Sequence, residues 1–253
     1  MISRYLLIDI SNSFTKATTS DGSLLGEILR IETKKLNTNY LEENFSARRF
    51  SDLQGVILSS VVPAQQKIIR NFAEARSLSL QEISARRALG IGIDYPKPEQ
   101  IGADRLANAV AVDALYGSPA IVVDFGTAVT FDVMSSGREY LGGVIAPGLR
   151  AMTSYLHEST ALLPKIELQE PKSVIGKSTR QAMLSGAVFG YSGLIQEIVT
   201  RIREEAFGDS KIQIVATGGD AEIIVRHCPI FTAVNKNLTL QGLRVLAKRF
   251  FSG

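Results

Sequence analysis

Short runs of apolar residues alternate with polar segments along the chain, and two of the runs are followed by the same local pattern. Residues 5–10 and 121–124 are largely apolar, and each run carries an aspartate at or next to its end, Asp9 and Asp124. Runs of this length between turn residues are typical of buried β-strands. A turn and a second apolar strand follow in both places, and a constant offset of 115 residues also matches Thr15 with Thr130. This spacing is too long for a solenoid repeat, so it predicts two similar domains that face one another.

The remaining periodicity predicts an α/β fold in which each half carries a mixed sheet with helices packed on it. Strands joined by hairpins come first in each half, and strands alternating with helices follow. The predicted strands are residues 5–10, 13–19, 24–31, 55–62, 121–124, 129–133, 140–145 and 211–217. The predicted helices are residues 40–50, a helix after Pro63, 103–115, 147–157, 179–204, 219–226 and 238–250. We place the two domains at residues 1–115 and 116–253.

Composition and charge are those of an ordinary globular protein. Of the 253 residues, 45% are hydrophobic and 21% are charged, and the net charge is +3 with both signs interspersed. This pattern indicates neither a nucleic-acid footprint nor a membrane patch, and it suits anionic small molecules. Because Cys228 is the one cysteine, no internal disulfide can form, and a reducing cytoplasm is expected. We expect no signal peptide, and no window approaches the roughly 20 apolar residues of a spanning helix.

Asp9 and Asp124 stand at corresponding strand ends and are the first candidates for chemistry. If the two halves face one another, both carboxylates point into the cleft, where they can anchor a magnesium ion on the phosphates of a nucleotide. A single aspartate at the end of a strand more often caps a turn. The repetition in both halves favours the functional interpretation.

The turns that follow these two acids carry groups that suit a phosphate. Asn12, Ser13 and Lys16 can supply amide, hydroxyl and ammonium groups, although polar residues in a hairpin are commonly just solvated. In the second turn, Gly126 lets the backbone approach a ligand closely and Thr127 offers its hydroxyl and amide. Both turns are therefore candidate phosphate loops.

The segment Gly102-Ala103-Asp104-Arg105 lies at the start of the predicted helix 103–115. The helix dipole and Arg105 are expected to keep Asp104 ionised, so that it can accept a proton from a substrate hydroxyl. Alternatively, Asp104 is an ordinary acid of the first helical turn with Arg105 as its surface partner. Both interpretations fit the sequence equally.

Two further segments have a structural explanation beside a functional one. The run GKST at residues 176–179 resembles the end of a P-loop, but Pro171 stands where that motif requires glycine, so a P-loop is excluded. Thr179 is then a helix cap or a hydroxyl presented to a ligand, and the cap is the simpler explanation. The two glycines of segment 217–219 have two explanations: they let a ligand approach the backbone closely, or they form a simple tight turn. Three glycines of helix 179–204 permit close helix packing inside the subunit or across a dimer.

Taken together, these motifs resemble the type III pantothenate kinases, members of the acetate kinase, sugar kinase, heat-shock protein 70 and actin superfamily. The carrying stretches run through nearly the whole chain in the family's order: DISNSFTK, YPKPEQIGADRLANA, VVDFGTAVTFDV, YLGGVIAPGL, IGKST and ATGGDA. The combination of IGADR with DFGTAVTFD is highly specific. The resemblance implies two ribonuclease H-like domains facing across a cleft. It also implies ATP-dependent phosphorylation of pantothenate to 4′-phosphopantothenate, the first step towards coenzyme A.

The resemblance also implies roles for individual residues. Asp104 would be the general base, and Asp124 would bind a monovalent cation, potassium or ammonium, which the family needs along with magnesium bound with ATP. Thr179 would complete the pantothenate pocket of the partner subunit in a homodimer. The ATP-binding residues would be Asp9, Ile10, Ser11, Asn12, Ser13, Phe14, Thr15, Lys16 and Thr127. The pantothenate-binding residues would be Tyr95, Gly102, Ala103, Asp104, Arg105 and Thr179.

The first loop departs from the family's usual pattern, Asp-x-Gly-Asn-Thr. Ser11 stands in place of the glycine and Ser13 in place of the threonine. Ser13 keeps a hydroxyl, whereas Ser11 adds a side chain near the phosphate, and it adds strain if the position needs a positive φ. Two other functions stay open: a non-catalytic relative that acts as a regulatory accessory factor, and a superfamily kinase for another small alcohol.

Overall fold

The structure is a computed structural model, and it describes residues 4–45 and 52–251. The chain folds into two compact units, of which the second is residues 117–236 and the first takes the residues before and after it. The strands are β1 (Tyr5–Ile10), β2 (Phe14–Ser20), β3 (Leu29–Glu32), β4 (Gly55–Ser60), β5 (Ser79–Glu82), β6 (Gly92–Ile93), β7 (Ala120–Phe125), β8 (Ala128–Met134), β9 (Glu139–Pro147), β10 (Gln213–Gly218) and β11 (Ala233–Val234). The helices are α1 (Thr38–Asn44), α2 (Pro63–Ala75), α3 (Ala103–Tyr116), α4 (Leu149–Glu158), α5 (Thr179–Ser185), α6 (Tyr191–Ala206), α7 (Ala221–Val225) and α8 (Leu238–Phe251).

The sheet of the first unit has β1 at its centre, in the strand order β3-β2-β1-β4-β5. β1 pairs antiparallel with β2 and parallel with β4. All six residues of β1 are buried, because helices cover both faces of the sheet. Leu6, Ile8 and Ile10 pack with α1 and α2. On the opposite face, Tyr5 stacks on Phe251 of α8 with the ring centroids 5.3 Å apart.

The second unit repeats this topology. Its strands lie in the order β11-β10-β7-β8-β9, and β7 pairs antiparallel with β8 and parallel with β10. Alternate residues of β7, namely Ile121, Val123 and Phe125, pack in one cluster with residues of α6 and α7. Each unit is therefore a mixed sheet of three antiparallel strands followed by two parallel ones, which confirms the predicted α/β class.

The repeat holds for the topology but not for the register of the two hairpins. Asp9 lies opposite Lys16 on β2, whereas Asp124 lies opposite Thr130 on β8. Residues directly opposite in a sheet share a face, and a slip of one residue moves a side chain to the other face. Thr130 therefore shares a face with Asp124, whereas Thr15, opposite Ile10, does not share one with Asp9. The predicted equivalence of Thr15 and Thr130 is wrong.

The closing helix α8 belongs to the first unit, so its assignment to a domain of residues 116–253 is wrong. α8 lies directly against α3. At Gly242 the two helices are so close that a Cβ atom added there would come within 2.0 Å of the carbonyl oxygen of Ala107. Arg244 Nη1 also donates a hydrogen bond to the carbonyl oxygen of Gly22 at 3.1 Å. These contacts join residues far apart in sequence, which the order of elements along the chain does not reveal.

Other differences from the predicted elements concern short or exposed segments. β3 begins at Leu29, not at residue 24, and Leu24 is 60% exposed. β5, β6 and β11 were not predicted, since they have only four, two and two residues. Of the predicted helix 40–50, the described part ends at Asn44, and residues 46–50 lie outside the described residues.

The continuous helix Thr179–Ala206 consists of α5, a π-helical turn and α6, and it is long and apolar enough to cross a membrane. The expectation that no window has this property is therefore wrong. Half of its apolar window is buried within the protein. Tyr191, Ile195 and Val199 of this helix pack in the core of the second unit. Core helices of globular proteins can have the same length and apolar composition, so this helix is weak support for a membrane span.

Replacing Gly242 by alanine is expected to lower the free energy of unfolding by about 1–3 kcal/mol, because the added methyl group must push α8 away from Ala107. Urea unfolding followed by circular dichroism measures this change. Lys248→Ala, on the exposed side of the same helix, is the control and should change the free energy by less than about 0.5 kcal/mol. Equal effects of the two substitutions would contradict close packing of α8 on α3.

Candidate active site

Asp9, near the carboxyl end of β1, is a buried carboxylate held by a hydroxyl group. Its side chain is only 6% exposed, and Ser59 Oγ on β4 donates a hydrogen bond to Asp9 Oδ1 at 3.0 Å. Ser11 Oγ lies 3.5 Å from Asp9 Oδ2, at the limit of a hydrogen bond. A buried polar group is costly unless it is hydrogen-bonded, and Ser59 supplies such a partner to Asp9. Ser59 is not among the residues predicted from the sequence.

The first candidate phosphate loop is held in place by Thr33. The N–H of Ser11 donates to the carbonyl oxygen of Phe14 at 3.1 Å, which closes the turn. Thr33 Oγ1 donates to the carbonyl oxygen of Ser11 at 2.6 Å, and the Thr33 N–H donates to that of Ser13 at 3.0 Å. Asn12, Ser13 and Phe14 are exposed, so the tip of the loop is open to a ligand.

The other loop residues face different environments. The side chain of Ile10 is fully buried in the core, so only its backbone can contact a nucleotide. Thr15 is also buried, and its hydroxyl lies 3.1 Å from that of Thr33. Lys16 is half-buried and lies opposite Asp9 in the sheet register. Their predicted roles in ATP binding stay predictions.

Ser11 fits its position without backbone strain. Among the described residues, the non-glycine residues with a positive φ are Ser77 and Arg138. Ser11 therefore does not adopt the left-handed conformation that would favour glycine. Its serine side chain is compatible with the turn as this chain builds it.

Asp104 lies in the first turn of α3, and its carboxylate folds back over the preceding backbone. The N–H of Arg105 donates to Asp104 Oδ1 at 2.8 Å. A Cβ on Gly102 would come within 2.5 Å of the same oxygen, so a side chain at position 102 would displace the carboxylate from this position. The position of Asp104 thus depends on the residue two places before it.

The first unit brings Asp104 to the edge of the sheet where β1 and β4 end. Val61 follows β4, and its N–H donates to the carbonyl oxygen of Ile10 at 3.1 Å. Val61 Cγ1 lies 3.6 Å from the position of a Cβ on Gly102. The candidate base is therefore at the same edge as the loop that follows β1.

Burial raises the pKa of the Asp104 carboxyl above its ordinary value, because desolvation disfavours the charged form. The hydrogen bond from the Arg105 N–H and the positive charge of Arg105 lower this pKa, but they are weaker than burial. Arg105 therefore offsets the effect of burial on this pKa only in part. A carboxylate with a raised pKa is a stronger base, which suits proton abstraction.

The other residues predicted to bind pantothenate lie close to Asp104 in sequence, and their roles stay predictions. Ala103 is buried, whereas Gly102 and Arg105 are half-buried. Tyr95 is half-buried in the connection that precedes the 3-10 turn Pro98–Gln100.

In the second unit, Asp124 lies half-buried in β7 beside a glycine of β10. Gly218 has a φ of 94°, and a Cβ there would come within 2.6 Å of Asp124 Oδ1 and 2.5 Å of the carbonyl oxygen of Phe125. Close packing thus accounts for this glycine without a ligand. A carboxylate and a carbonyl oxygen at one place are donors that suit an alkali cation. In the described part of the chain, no group of three or more His, Cys, Asp and Glu side chains could hold a metal. The predicted binding of a monovalent cation at Asp124 stays a prediction.

The second candidate phosphate loop is fixed through its carbonyl groups. The N–H of Gly126 donates to the carbonyl oxygen of Ala128 at 3.1 Å, and that of Gly148 donates to Thr127 at 3.1 Å. A Cβ on Gly148 would come within 2.2 Å of the Thr127 carbonyl oxygen. The backbone of Thr127 is therefore held firmly, as a phosphate-binding residue requires.

Thr179 is the first residue of α5 and is exposed. The cap of this helix is Ser178, whose Oγ accepts a hydrogen bond from the N–H of Gln181 at 3.3 Å. The explanation of Thr179 as a helix cap is therefore wrong. Its predicted role at a pantothenate pocket stays a prediction.

Three glycines of the long helix have open space beside them. A Cβ on Gly186, Gly190 or Gly193 would meet no atom of the described residues within 4 Å. Among the described residues, close packing inside the subunit therefore does not explain these glycines, and packing across a dimer stays a prediction.

Comparison with known proteins identifies the family of this chain. The model of the type III pantothenate kinase family matches residues 5–201. The chain belongs to the type III pantothenate kinase family. A type III pantothenate kinase from Akkermansia muciniphila is 47% identical over 244 residues, which cover 96% of this chain and 98% of the relative. One from Methylacidiphilum infernorum is 42% identical over 243 residues, covering 96% of this chain and 88% of the relative.

The predicted family and the kinase class of enzyme are thereby confirmed. A crystal structure of MreB 5 of Spiroplasma citri bound to AMPPNP superimposes on this chain with a TM-score of 0.56. Its sequence identity is 12%, and the match covers 98% of this chain and 97% of MreB 5. At this identity the likeness shows the fold alone, and it agrees with two ribonuclease H-like domains.

Asp104→Asn is expected to increase the stability of the folded protein at pH 7, because it removes a charge from a partly desolvated position. The raised pKa means that ionisation of Asp104 opposes folding above the folded-state pKa, and this cost disappears as the pH falls towards 3.8. The gain in the free energy of urea unfolding should therefore be larger at pH 7 than at pH 4.5. A variant that is less stable than the wild type by the same margin at both pH values would contradict the raised pKa.

Proposed function

We propose that this protein phosphorylates pantothenate with ATP to give 4′-phosphopantothenate, the first step of coenzyme A biosynthesis. The observation that carries the proposal is the match of residues 5–201 to the type III pantothenate kinase family. Relatives that bear this name are 42–47% identical over 96% of the chain. Identity of this extent over whole chains supports a shared reaction as well as a shared fold.

Asp104 is the general base in this proposal. Its carboxylate accepts the proton of the primary hydroxyl of pantothenate while the hydroxyl oxygen forms a bond to the γ-phosphorus of ATP. The bond from that phosphorus to the bridging oxygen breaks, and ADP leaves. Burial supports this role because it raises the pKa of Asp104, and the Arg105 N–H supports it by orienting the carboxylate. Tyr95, Gly102 and Ala103 are proposed to line the pantothenate site around it.

The two turns after β1 and β7 are proposed to bind the phosphates of ATP. Hydrogen bonds from Thr33 fix the first turn, and a hydrogen bond from the Gly148 N–H fixes the second. These bonds support the role, because a backbone that is already fixed loses less conformational entropy when it binds an anion. Magnesium is proposed to arrive with ATP, since this ion usually combines few carboxylates with the phosphates of its substrate. Asp124 is proposed to bind potassium or ammonium, whose positive charge would offset the charge that develops on the phosphoryl group.

We also propose a cytoplasmic homodimer in which Thr179 contributes to the pantothenate site of the partner subunit. The exposure of Thr179 at the start of α5 and the open space beside the three helix glycines support this arrangement. The single buried cysteine, Cys228, supports a reducing compartment.

Asp104→Asn should lower kcat by about 10²- to 10⁴-fold, because the amide does not accept the substrate proton. A coupled assay of ADP release, with and without pantothenate, measures turnover. Glu74→Gln, an exposed acid of α2, is the matched control and should retain wild-type turnover. Near-normal turnover of Asp104→Asn would remove Asp104 from the role of base. Wild-type protein that releases no ADP with pantothenate would instead favour the regulatory accessory factor or a kinase for another alcohol.

Asp124→Asn should abolish most of the difference in turnover between potassium and sodium buffers, because it removes the charged ligand of the proposed cation. The wild type should turn over faster in potassium than in sodium. Asp209→Asn, an exposed acid of the same unit, should behave as the wild type. An unchanged potassium dependence in Asp124→Asn would place the cation elsewhere.

A further inference from the structure

Thr33 is a buried residue that contacts the first candidate phosphate loop through both its hydroxyl and its amide. It lies in the 3-10 turn Thr33–Lys35, after β3, and is 3% exposed. We propose that Thr33 is a positioning residue for ATP, which acts by fixing the peptide between Ser11 and Asn12. This inference rests on the proposed function, because it assigns a task to the loop only if the loop binds a nucleotide.

The hydrogen bonds around Thr33 have one consistent set of directions. Its single hydroxyl hydrogen is given to the carbonyl oxygen of Ser11 at 2.6 Å. The 3.1 Å contact between the Thr15 and Thr33 hydroxyls must then use the hydrogen of Thr15. Both threonines are buried, so water does not readily replace either group. Loss of the Thr33 hydroxyl therefore removes the hydrogen bond to the Ser11 carbonyl oxygen and leaves the buried Thr15 hydroxyl without this partner.

The hold on Ser11 sets the direction of the next amide. A trans peptide is planar, and its carbonyl oxygen and N–H point in opposite directions. Because Thr33 holds the Ser11 carbonyl on its own side, the N–H of Asn12 points away from Thr33. Asn12 is exposed at the tip of the loop. An amide held in this way is a preoriented donor for a phosphate oxygen, without the entropy cost of ordering the turn on binding.

The second contact of Thr33 prevents the loop from rotating about the first. The Thr33 N–H donates to the carbonyl oxygen of Ser13 at 3.0 Å, so the turn is held on both sides of Asn12. Thr33→Val keeps this backbone bond and the shape of the side chain but removes the hydroxyl. The substitution therefore isolates the bond to Ser11.

Thr33→Val is expected to raise the Kd of Mg-AMPPNP, measured by isothermal titration calorimetry, by about five- to tenfold, as loss of one oriented hydrogen bond would. The KM for ATP should rise by a similar factor, whereas the KM for pantothenate should stay within about twofold of the wild type. Thr33→Ser retains the hydroxyl and should restore nucleotide binding. Should Thr33→Val not fold, Thr33→Cys, whose thiol is a weak donor, provides the same comparison.

Thr18→Val is the matched control, because Thr18 is a fully buried threonine of β2 whose hydroxyl donates to the neighbouring Thr19 carbonyl oxygen at 3.2 Å. Its thermal stability is compared directly with that of Thr33→Val, and its Kd for Mg-AMPPNP should equal that of the wild type. Nucleotide binding by Thr33→Val as tight as by the wild type would overturn the role of Thr33 alone. A wild type that does not bind Mg-AMPPNP would overturn the proposed function as well.

Discussion

The structure depends on a central strand in each unit that is covered on both faces. All of β1 is buried, and so are five of the six residues of β7. A strand in this position can present a polar side chain only near its end, where the covering helices no longer exclude other groups. The single carboxylate of each strand is found there, Asp9 in one and Asp124 in the other. Burial of the sheet thus determines which edge of each unit is available for chemistry.

Burial on both faces also explains which parts of the fold the sequence could predict. A doubly covered strand appears as a continuous apolar run, so β1, β4 and β7 were recognised from a few residues each. Strands at the edge of a sheet lack this signal, and β5 has the sequence SLQE with no residue buried. The position of α8 was not predictable for a different reason. Its amphipathic pattern predicts an apolar partner but does not identify that partner as α3. The packing of α8 on α3 depends on the close contact of Gly242 with Ala107.

The candidate site was predictable where its residues follow strand ends and not where they act from a distance. Ser59 contacts Asp9 across 50 residues, and Thr33 contacts Thr15 across 18. In the sequence, each is an ordinary hydroxyl residue at the end of a strand. The repeat of Asp9 and Asp124 was a reliable signal for topology, yet the hairpins differ by one residue in register. Similar sequence offsets therefore identify similar strands without identifying which side chains share a face.

The ionisation of Asp104 shows how local and tertiary effects can oppose one another. Its local surroundings, a helix N-terminus and the adjacent Arg105, both favour the charged form. Tertiary burial favours the neutral form and is the larger effect. Gly102 permits the observed position of the carboxylate, because a Cβ there would come within 2.5 Å of Asp104 Oδ1. Burial of the Asp104 charge thus makes the first turn of α3 less stable and makes the carboxylate more basic than an exposed aspartate. The Arg105 N–H holds this carboxylate in one orientation. An exposed acid at the same helix terminus would stabilise the fold better and would accept a proton less readily.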